Sequence, residues 1–284
     1  MAKPYADLHI HSLFSDGSLS PEEIVKAAVE NDIGLLAIAD HNVAEGSLAV
    51  QQLCLASGIH CISAVEIDAL DSDTNIHILA YGVDFNDAAF RSYLSHARFM
   101  LDECSIKLVE AMQADYAGVS LSDFFDFNFN RRLGGWKGLH YMFEKGITAS
   151  LKEGIPMYRK YGITPGKSGF STVAAAAHRI HRAGGYAVLA HPGEIFDTSD
   201  ITSFKREVAR VMAYGLDGVE CYHPRHSKEV TQVCLDYCRQ RSLLITGGSD
   251  SHGVFTGARI GALKIKADSL ELRLSRAGQA RPLR

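Results

Sequence analysis

Seven short apolar, β-rich runs punctuate this chain, and six of them carry a His, Asp or Glu at or near their C-terminal ends. The runs are Tyr5–Ser12, Gly34–Asp40, His60–Ile67, Asn75–Val83, Gly185–His191, Gly218–Tyr222 and Leu243–Gly247. Helical segments separate most of them. Ser20 at the N-cap, Pro21 at N1 and Glu23 three residues after the cap announce the first helix. Ser171–Ala183 reads as another, stopped by Gly184-Gly185, and residues 201–215 and 226–241 as two more. Strand alternating with helix predicts an α/β fold with a parallel sheet or barrel.

The polar run ends fall in a consistent place. The first run holds His9 and His11, which share a face because strand residues two apart point the same way. Ser15-Asp16-Gly17 follows. Asp40-His41 closes the second run, Val65-Glu66 the third and Ala190-His191-Pro192 the fifth. His77 lies on the fourth, and the seventh leads into Ser249-Asp250-Ser251-His252. In parallel α/β barrels the C-terminal rim of the strands is where active sites are built.

A single buried histidine is ordinarily an internally satisfied residue. Nine imidazoles and carboxylates on one rim would repel one another and lose hydration, a cost that divalent cations remove. The nine are His9, His11, Asp16, His41, Glu66, His77, His191, Asp250 and His252. Mixed nitrogen and oxygen ligands suit Zn, Mn or Fe. His60, His96, His140, His178 and His181 fall on helices or loops and are expected to be solvated; His223 and His226, just past the sixth run, stand between the two groups.

From about Phe85 to Gly169 the alternation stops. This mostly helical stretch, with an aromatic, Asn-rich patch at residues 124–130 and then Arg131-Arg132-Leu133-Gly134-Gly135-Trp136, reads as a subdomain inserted between the fourth and fifth runs. The expected division is 1–85 with 170–284 as the metal-binding part and 86–169 as the helical substrate part. Residues 277–284 read as a frayed tail.

Net charge narrows the ligands. At −4 the chain offers no basic field for a long nucleic acid, while cations bound in the site would still attract small anions. No stretch approaches the roughly 20 apolar residues of a membrane span, and the first residues lack the apolar core of a signal peptide. The expected location is the cytoplasm. The six cysteines form no CxxC pair. Cys234 and Cys238 lie one helical turn apart and read as reduced thiols packed on a helix. Oligomeric state is not encoded legibly.

Asp7-Leu8-His9-Ile10-His11-Ser12 with Ser15-Asp16-Gly17, then Asp40-His41, Glu66, His77, Ala190-His191-Pro192 and Gly248-Ser249-Asp250-Ser251-His252, resemble the motifs of the polymerase-and-histidinol-phosphatase (PHP) family. The likeness spans nearly the whole chain. It implies a distorted seven-stranded (β/α) barrel with a trinuclear site. The first metal would take His9, His11, Glu66 and Asp250; Glu66 would bridge to a second held by His77 and His191; Asp16, His41 and His252 would hold the third. Asp rather than His at position 16 resembles the branch that uses manganese or iron, with zinc as the alternative.

The expected chemistry is hydrolysis of phosphate esters by a metal-bridging hydroxide, on a ribose phosphate, nucleotide or cyclic phosphate. His191, His223 and Asp16 are the candidates to protonate the leaving group. Lys167, Lys137, Arg131, Arg132, Arg159 and Arg225 are the candidate phosphate-binding cations. Of these Lys167 sits in Thr164-Pro165-Gly166-Lys167-Ser168-Gly169, which resembles a substrate-contacting loop of the family's nucleotide-phosphatase branch. Where that branch has an Arg-Thr-His run, this chain has Gly135-Trp136-Lys137. Trp136 either stacks on a base or packs as a core residue, and packing is the simpler expectation. Three alternatives remain: a nuclease or bisphosphate phosphatase acting on short nucleic-acid ends, an amidohydrolase-type C–N hydrolase, and a non-catalytic metal-binding module.

Overall fold

The computed structural model describes residues 4–272; the expected frayed tail lies outside them. In chain order its elements begin with β1 (Tyr5–Asp7), α1 (Pro21–Glu30), β2 (Ile33–Leu36), α2 (Glu45–Ala56), β3 (His60–Cys61), β4 (Ala64–Asp71) and β5 (Thr74–Tyr81). A long helical excursion follows: α3 (Ala88–Met112), α4 (Leu121–Asp126), α5 (Lys137–Glu144) and α6 (Ile155–Lys160). The chain then resumes with α7 (Val173–Arg182), β6 (Tyr186–Leu189), α8 (Pro192–Ile195), α9 (Ile201–Met212), β7 (Gly218–Tyr222), α10 (Lys228–Arg241), β8 (Leu244–Gly247) and β9 (Ile265–Lys266).

Local chemistry explains several boundaries. Ser20 caps α1 through a complete capping box with Glu23, and Pro21 occupies the first turn, where a missing N–H costs nothing. Thr172 caps α7 and Ser227 caps α10. Cys234 and Cys238 lie buried on the inner face of α10, and no disulfide joins the cysteines among the described residues.

The strands form two sheets, in the orders β3-β2-β1-β9 and β4-β5-β6-β7-β8. Among the described residues they do not join into one closed (β/α)7 barrel. They meet instead at two narrow seams, the isolated parallel bridges Ile10↔Ser251 and His41↔Glu66. Backbone hydrogen bonds reinforce each seam: His11 N to Ser251 O (2.9 Å) and Leu8 N to Gly247 O (3.1 Å) at one, Asn42 N to Glu66 O (2.8 Å) at the other. Inner side chains of both sheets, including Leu8, Ala37, Leu79, Tyr81, Val188 and Leu244, share one apolar interior.

Two departures from the expected parallel arrangement bear on the site. The third apolar run splits: β3 pairs with β2, but Ser63 O accepts from Gly82 N, so β4 leaves that sheet for the other. A two-residue connection, Ser72-Asp73 with Ser72 at φ +56°, then turns the chain back, making β5 antiparallel to β4 and to β6. So short a link cannot join parallel strands. Consequently β5 reaches the rim with its N-terminal half, where His77 sits opposite Asp68.

Candidate metal centre

All nine rim residues converge. Their ligand atoms fall into overlapping groups, each within 4.8 Å: His11, Asp16, His41 and His252; His9, His11 and Asp250; His9, Glu66 and His191; His41, Glu66 and His77. Glu66 is the hub. One oxygen faces His9 Nε2 (3.3 Å), His11 Nε2 (3.2 Å) and His41 Nε2 (3.4 Å), and the other faces His77 Nδ1 (3.0 Å) and His191 Nε2 (3.1 Å). Asp250 Oδ1 lies 3.2 Å from His11 Nε2, and Asp16 Oδ2 lies 3.2 Å from His252 Nε2.

These atoms make a poor hydrogen-bonded cluster and a good ligand set. His9 Nε2 faces His11 Nε2 at 3.2 Å, and His77 Nδ1 faces His191 Nε2 at 3.3 Å, so each pair turns two ring nitrogens, the same kind of ligand atom, toward one another. Buried His11 Nδ1, Asp16 Oδ2, His41 Nδ1 and His191 Nδ1 have no hydrogen-bond partner. A buried polar atom without a partner is costly. Divalent cations among these mixed N/O donors relieve both defects, so the residues fit such a group.

Electrostatics agree. Burial pushes the Glu66 carboxyl upward, yet His41, His77 and His9 around it hold it well below the usual carboxylate range. Asp16 and Asp250 are likewise held low, by His252 and His41 and by His9 and His11, against the pull of burial. Burial disfavours a charged His9 ring, but Glu220, Glu66 and Asp250 raise its pKa well above the ordinary value. The carboxylates do the same for His11 and His77.

Backbone conformation aims the ligands. His191 (φ +25°), Asp250 (φ +48°) and Asn42 (φ +56°), next to His41, all occupy the left-handed region. Non-glycine residues there carry strain that the surrounding structure must impose. Asp7 imposes part of it, accepting from Ser249 N and Gly261 N, both at 2.8 Å, and so tying β1 to the loop that carries Asp250. Asp40 accepts from Ser12 N (2.7 Å) and Ser12 Oγ (2.6 Å), fixing the loop after His11.

Two more carboxylates orient the ligand histidines, and neither belongs to the sequence-derived set. Glu220, fully buried on β7, accepts hydrogen bonds from His9 Nδ1 at 3.0 Å and from His191 N at 2.8 Å. Asp68 lies 3.3 Å from His77 Nε2 and 3.6 Å from His41 Nδ1, and accepts from Asn42 Nδ2 and Asn75 Nδ2, each at 2.6 Å. Each turns the opposite ring nitrogen inward, the role outer carboxylates play around metal-binding histidines. A sequence signal existed for both. Asp68 follows Glu66 by two positions on one strand, and Glu220 is an acid inside an otherwise apolar run.

His223 sits at the edge of the cluster, its Nε2 3.4 Å from Asp250 Oδ2. His226 is structural: Nδ1 donates to Cys221 O (3.1 Å), Nε2 accepts from Gly193 N (3.1 Å), and burial pushes its pKa down to about 4. His140 is buried rather than solvated, donating to Gly134 O at 2.7 Å because the Gly134-Gly135 turn folds back over it. His60, His96 and His178 are exposed, and His181 pairs with Asp217 at 2.7 Å.

The candidate phosphate-binding cations are spread over the insertion and the rim. Arg132 pairs with Glu23, and Arg225 with Glu194 at 2.9 Å. Lys167 Nζ donates to Gly162 O (3.2 Å), Lys137 Nζ to Phe125 O (3.1 Å) and Arg131 to Leu13 O (3.2 Å). Arg159 is exposed on α6.

The insertion is clasped to the centre. Gly135 N donates to Asp16 O at 2.7 Å, and a Cβ on Gly134 (φ +70°) would come within 2.6 Å of Phe255 Cβ. Only glycine tolerates both the conformation and the approach. Trp136, next in sequence, then stands 6.2 Å from the His41 ring, centroid to centroid.

Comparison with known proteins bears on this centre. Residues 7–133 match the PHP domain family. The chain is 26% identical to the phosphoribosyl 1,2-cyclic phosphate 1,2-diphosphodiesterase of Eggerthella lenta, covering 88% of this chain and 94% of that one. It is 27% identical to the 3′,5′-nucleoside bisphosphate phosphatase of Chromobacterium violaceum (89% of each). It is 28% identical to the 5′-3′ exoribonuclease Rnm of Salmonella typhimurium (87% and 84%). Among solved structures, a Bifidobacterium adolescentis protein superposes with a TM-score of 0.77 at 24% identity, over 93% of each chain, a likeness of fold.

Proposed function

We propose, from the premise that this chain carries a PHP domain and is a phosphoester hydrolase of that family, that it hydrolyses phosphate esters of small phosphorylated metabolites. Candidate substrates are a nucleotide, a ribose phosphate or a cyclic phosphate. The observation that carries the reading is the convergence of nine imidazole and carboxylate groups in one cluster with Glu66 at its hub. His9, His11, Glu66 and Asp250 would hold one cation, Glu66, His77 and His191 a second, and Asp16, His41 and His252 a third. Manganese is the first choice, iron or zinc the alternatives. Such ions supply a nucleophilic water at neutral pH and neutralise charge on phosphate oxygens.

The chain's own residues supply the rest. Glu220 and Asp68 hold four of the histidines in place, through ring nitrogens or backbone. Hydrolysis joins a water oxygen to phosphorus and breaks the ester P–O bond, so the departing oxygen needs a proton. Of His191, Asp16 and His223, only His223 belongs to none of the converging ligand groups. The backbone N–H of Arg225 donates to its Nδ1 at 3.3 Å, which leaves the proton on Nε2, at the cluster. His223 is therefore assigned as the proton donor. Residues 86–169 are read as the substrate subdomain, set on the metal-binding part formed by 1–85 and 170–284.

A second reading, action on short 5′-phosphorylated nucleic-acid ends, is favoured by a groove beside Ser15. Arg98, Arg131 and Lys137 line it together with Phe125 and Phe129, a mixture of cations and aromatic rings suited to phosphates and bases. A phosphate-release screen tests both. Metal-loaded protein is offered nucleotides, bisphosphates, sugar phosphates, cyclic phosphates and a 5′-phosphorylated oligonucleotide. Turnover of at least one ester is expected; turnover of an amide or lactam and of no ester overturns the assignment.

A further inference from the structure

A cavity of about 290 Å³ opens beside the metal centre, near the lower end of small-ligand pockets, which run roughly 300–1,000 Å³. Its walls come from the insertion: Trp136, Leu139, Ile155, Tyr158, Ile163 and Phe170. Its floor is Asp68 and Asn75, and these two side chains touch His77, at 3.3 Å and 3.0 Å. One layer of side chains, Asp68 and Asn75, therefore separates the cavity from the histidine–carboxylate cluster.

The lining restricts what can enter. No lysine or arginine among the described residues lines it, and its one carboxylate, Asp68, is already engaged with His41, His77, Asn42 and Asn75. A phosphate placed there would lose hydration and meet no cation. The hydroxyl of Tyr158 is satisfied by Ser105 Oγ at 2.8 Å, so that wall is apolar in effect. A sugar, with several hydroxyls to satisfy, would find few partners. One polar atom does wait for a ligand. Asn75 Nδ2 is committed to Asp68, which turns the buried Oδ1 away, and Oδ1 has no partner.

We infer that this cavity is a base-binding chamber: it takes a flat, uncharged heteroaromatic ring with an N–H edge, joined through a sugar to the phosphate held at the cations. The ring stacks against Trp136 and donates to Asn75 Oδ1. The inference rests on the phosphoesterase reading and sharpens it, selecting a nucleotide or a nucleotide end over a bare ribose phosphate. Trp136 is the specificity residue.

Trp136 is also the chain's single tryptophan, so its fluorescence reports on the chamber and on its neighbours His41 and Phe255, each 6.2 Å away. Metal-loaded protein is titrated with adenosine, adenosine 5′-monophosphate and ribose 5-phosphate. The two adenine compounds should change the emission and ribose 5-phosphate should not. In turnover, Trp136→Ala should lower kcat/KM for the nucleotide by about 5- to 150-fold, the contribution of one base–aromatic stack, with Trp136→Phe recovering most of it. The same variants should leave metal content unchanged and should lower ribose 5-phosphate turnover far less than nucleotide turnover. Equal kcat/KM for ribose 5-phosphate and the nucleotide in the parent enzyme overturns the chamber, as does equal loss on both esters in Trp136→Ala. Should no ester turn over, the phosphoesterase reading fails, and the adenosine titration still decides the chamber by itself.

Discussion

The cation cluster and the chamber touch through Asp68, Asn75 and Trp136, yet they are built in opposite ways. The cluster is polar, and its side chains project from strand ends and strained turns, so backbone hydrogen bonds fix them. Its atoms are poorly satisfied by one another. The chamber is apolar, its walls come from α3, α5, α6 and the loops between them, and packing among side chains shapes it. The clustered side chains are thus held by strand ends and tight turns, and the chamber by a helical excursion joined to them through Gly135 N and Asp16 O.

That contrast can be broken or sharpened experimentally. The largest effect belongs to the hub: Glu66→Ala should abolish turnover and lower bound metal, read by elemental analysis, while adenosine still perturbs Trp136 emission. Full activity in this variant would refute the proposed arrangement. Next, His223→Gln should reduce kcat by about 10²- to 10⁴-fold, the usual worth of a general acid, with metal content unchanged. Glu220→Gln, which touches the cluster only through His9 and His191, should weaken metal affinity by about 10- to 100-fold in a chelator competition.

Proton competition separates the two regions by pH. Burial disfavours charge on His9, His11, His41 and His77, but the surrounding carboxylates raise all four above the ordinary histidine value. Cations must displace the protons those rings retain, so metal affinity should rise with pH, by up to about tenfold per unit for each proton released. Calorimetry in buffers of different ionisation enthalpy counts the protons. Adenosine binding to the chamber should stay flat over the same range. The smallest effect is expected at the clasp: Gly134→Ala, forced against Phe255, should cost about 1–3 kcal/mol of stability and raise KM, leaving metal stoichiometry intact. Loss of metal in that variant would mean the regions are not separable.

How far each region could be read beforehand follows from the same contrast. The convergence of the nine residues was legible because strand-end His and Asp residues must be explained by something, and the strand period put His9 and His11 on one face. Ser20, Pro21 and Glu23 fixed α1 by local chemistry alone. The reversal at Ser72-Asp73 was not legible, since that pair lacks the Asn-Gly or Asp-Gly signature of tight hairpins, and so β5 was expected to run parallel. Glu220 passed as an incidental acid although a charge inside an apolar strand demands a partner. The burial of His140 depends on the Gly134-Gly135 turn six residues before it folding back over the ring, a return that helical periodicity does not encode. The chamber walls are ordinary apolar residues on helices, indistinguishable in sequence from a core.

The seams between the two sheets carry one further consequence. At Ile10↔Ser251 and His41↔Glu66 the sheets are stitched by a single bridge each, beside ligands contributed from both sides. Cations bound there act as rivets across a split ring, so a chelator should do more than silence the enzyme: it should let the two halves breathe apart, exposing amides such as those of His11 and Glu66 to exchange with solvent.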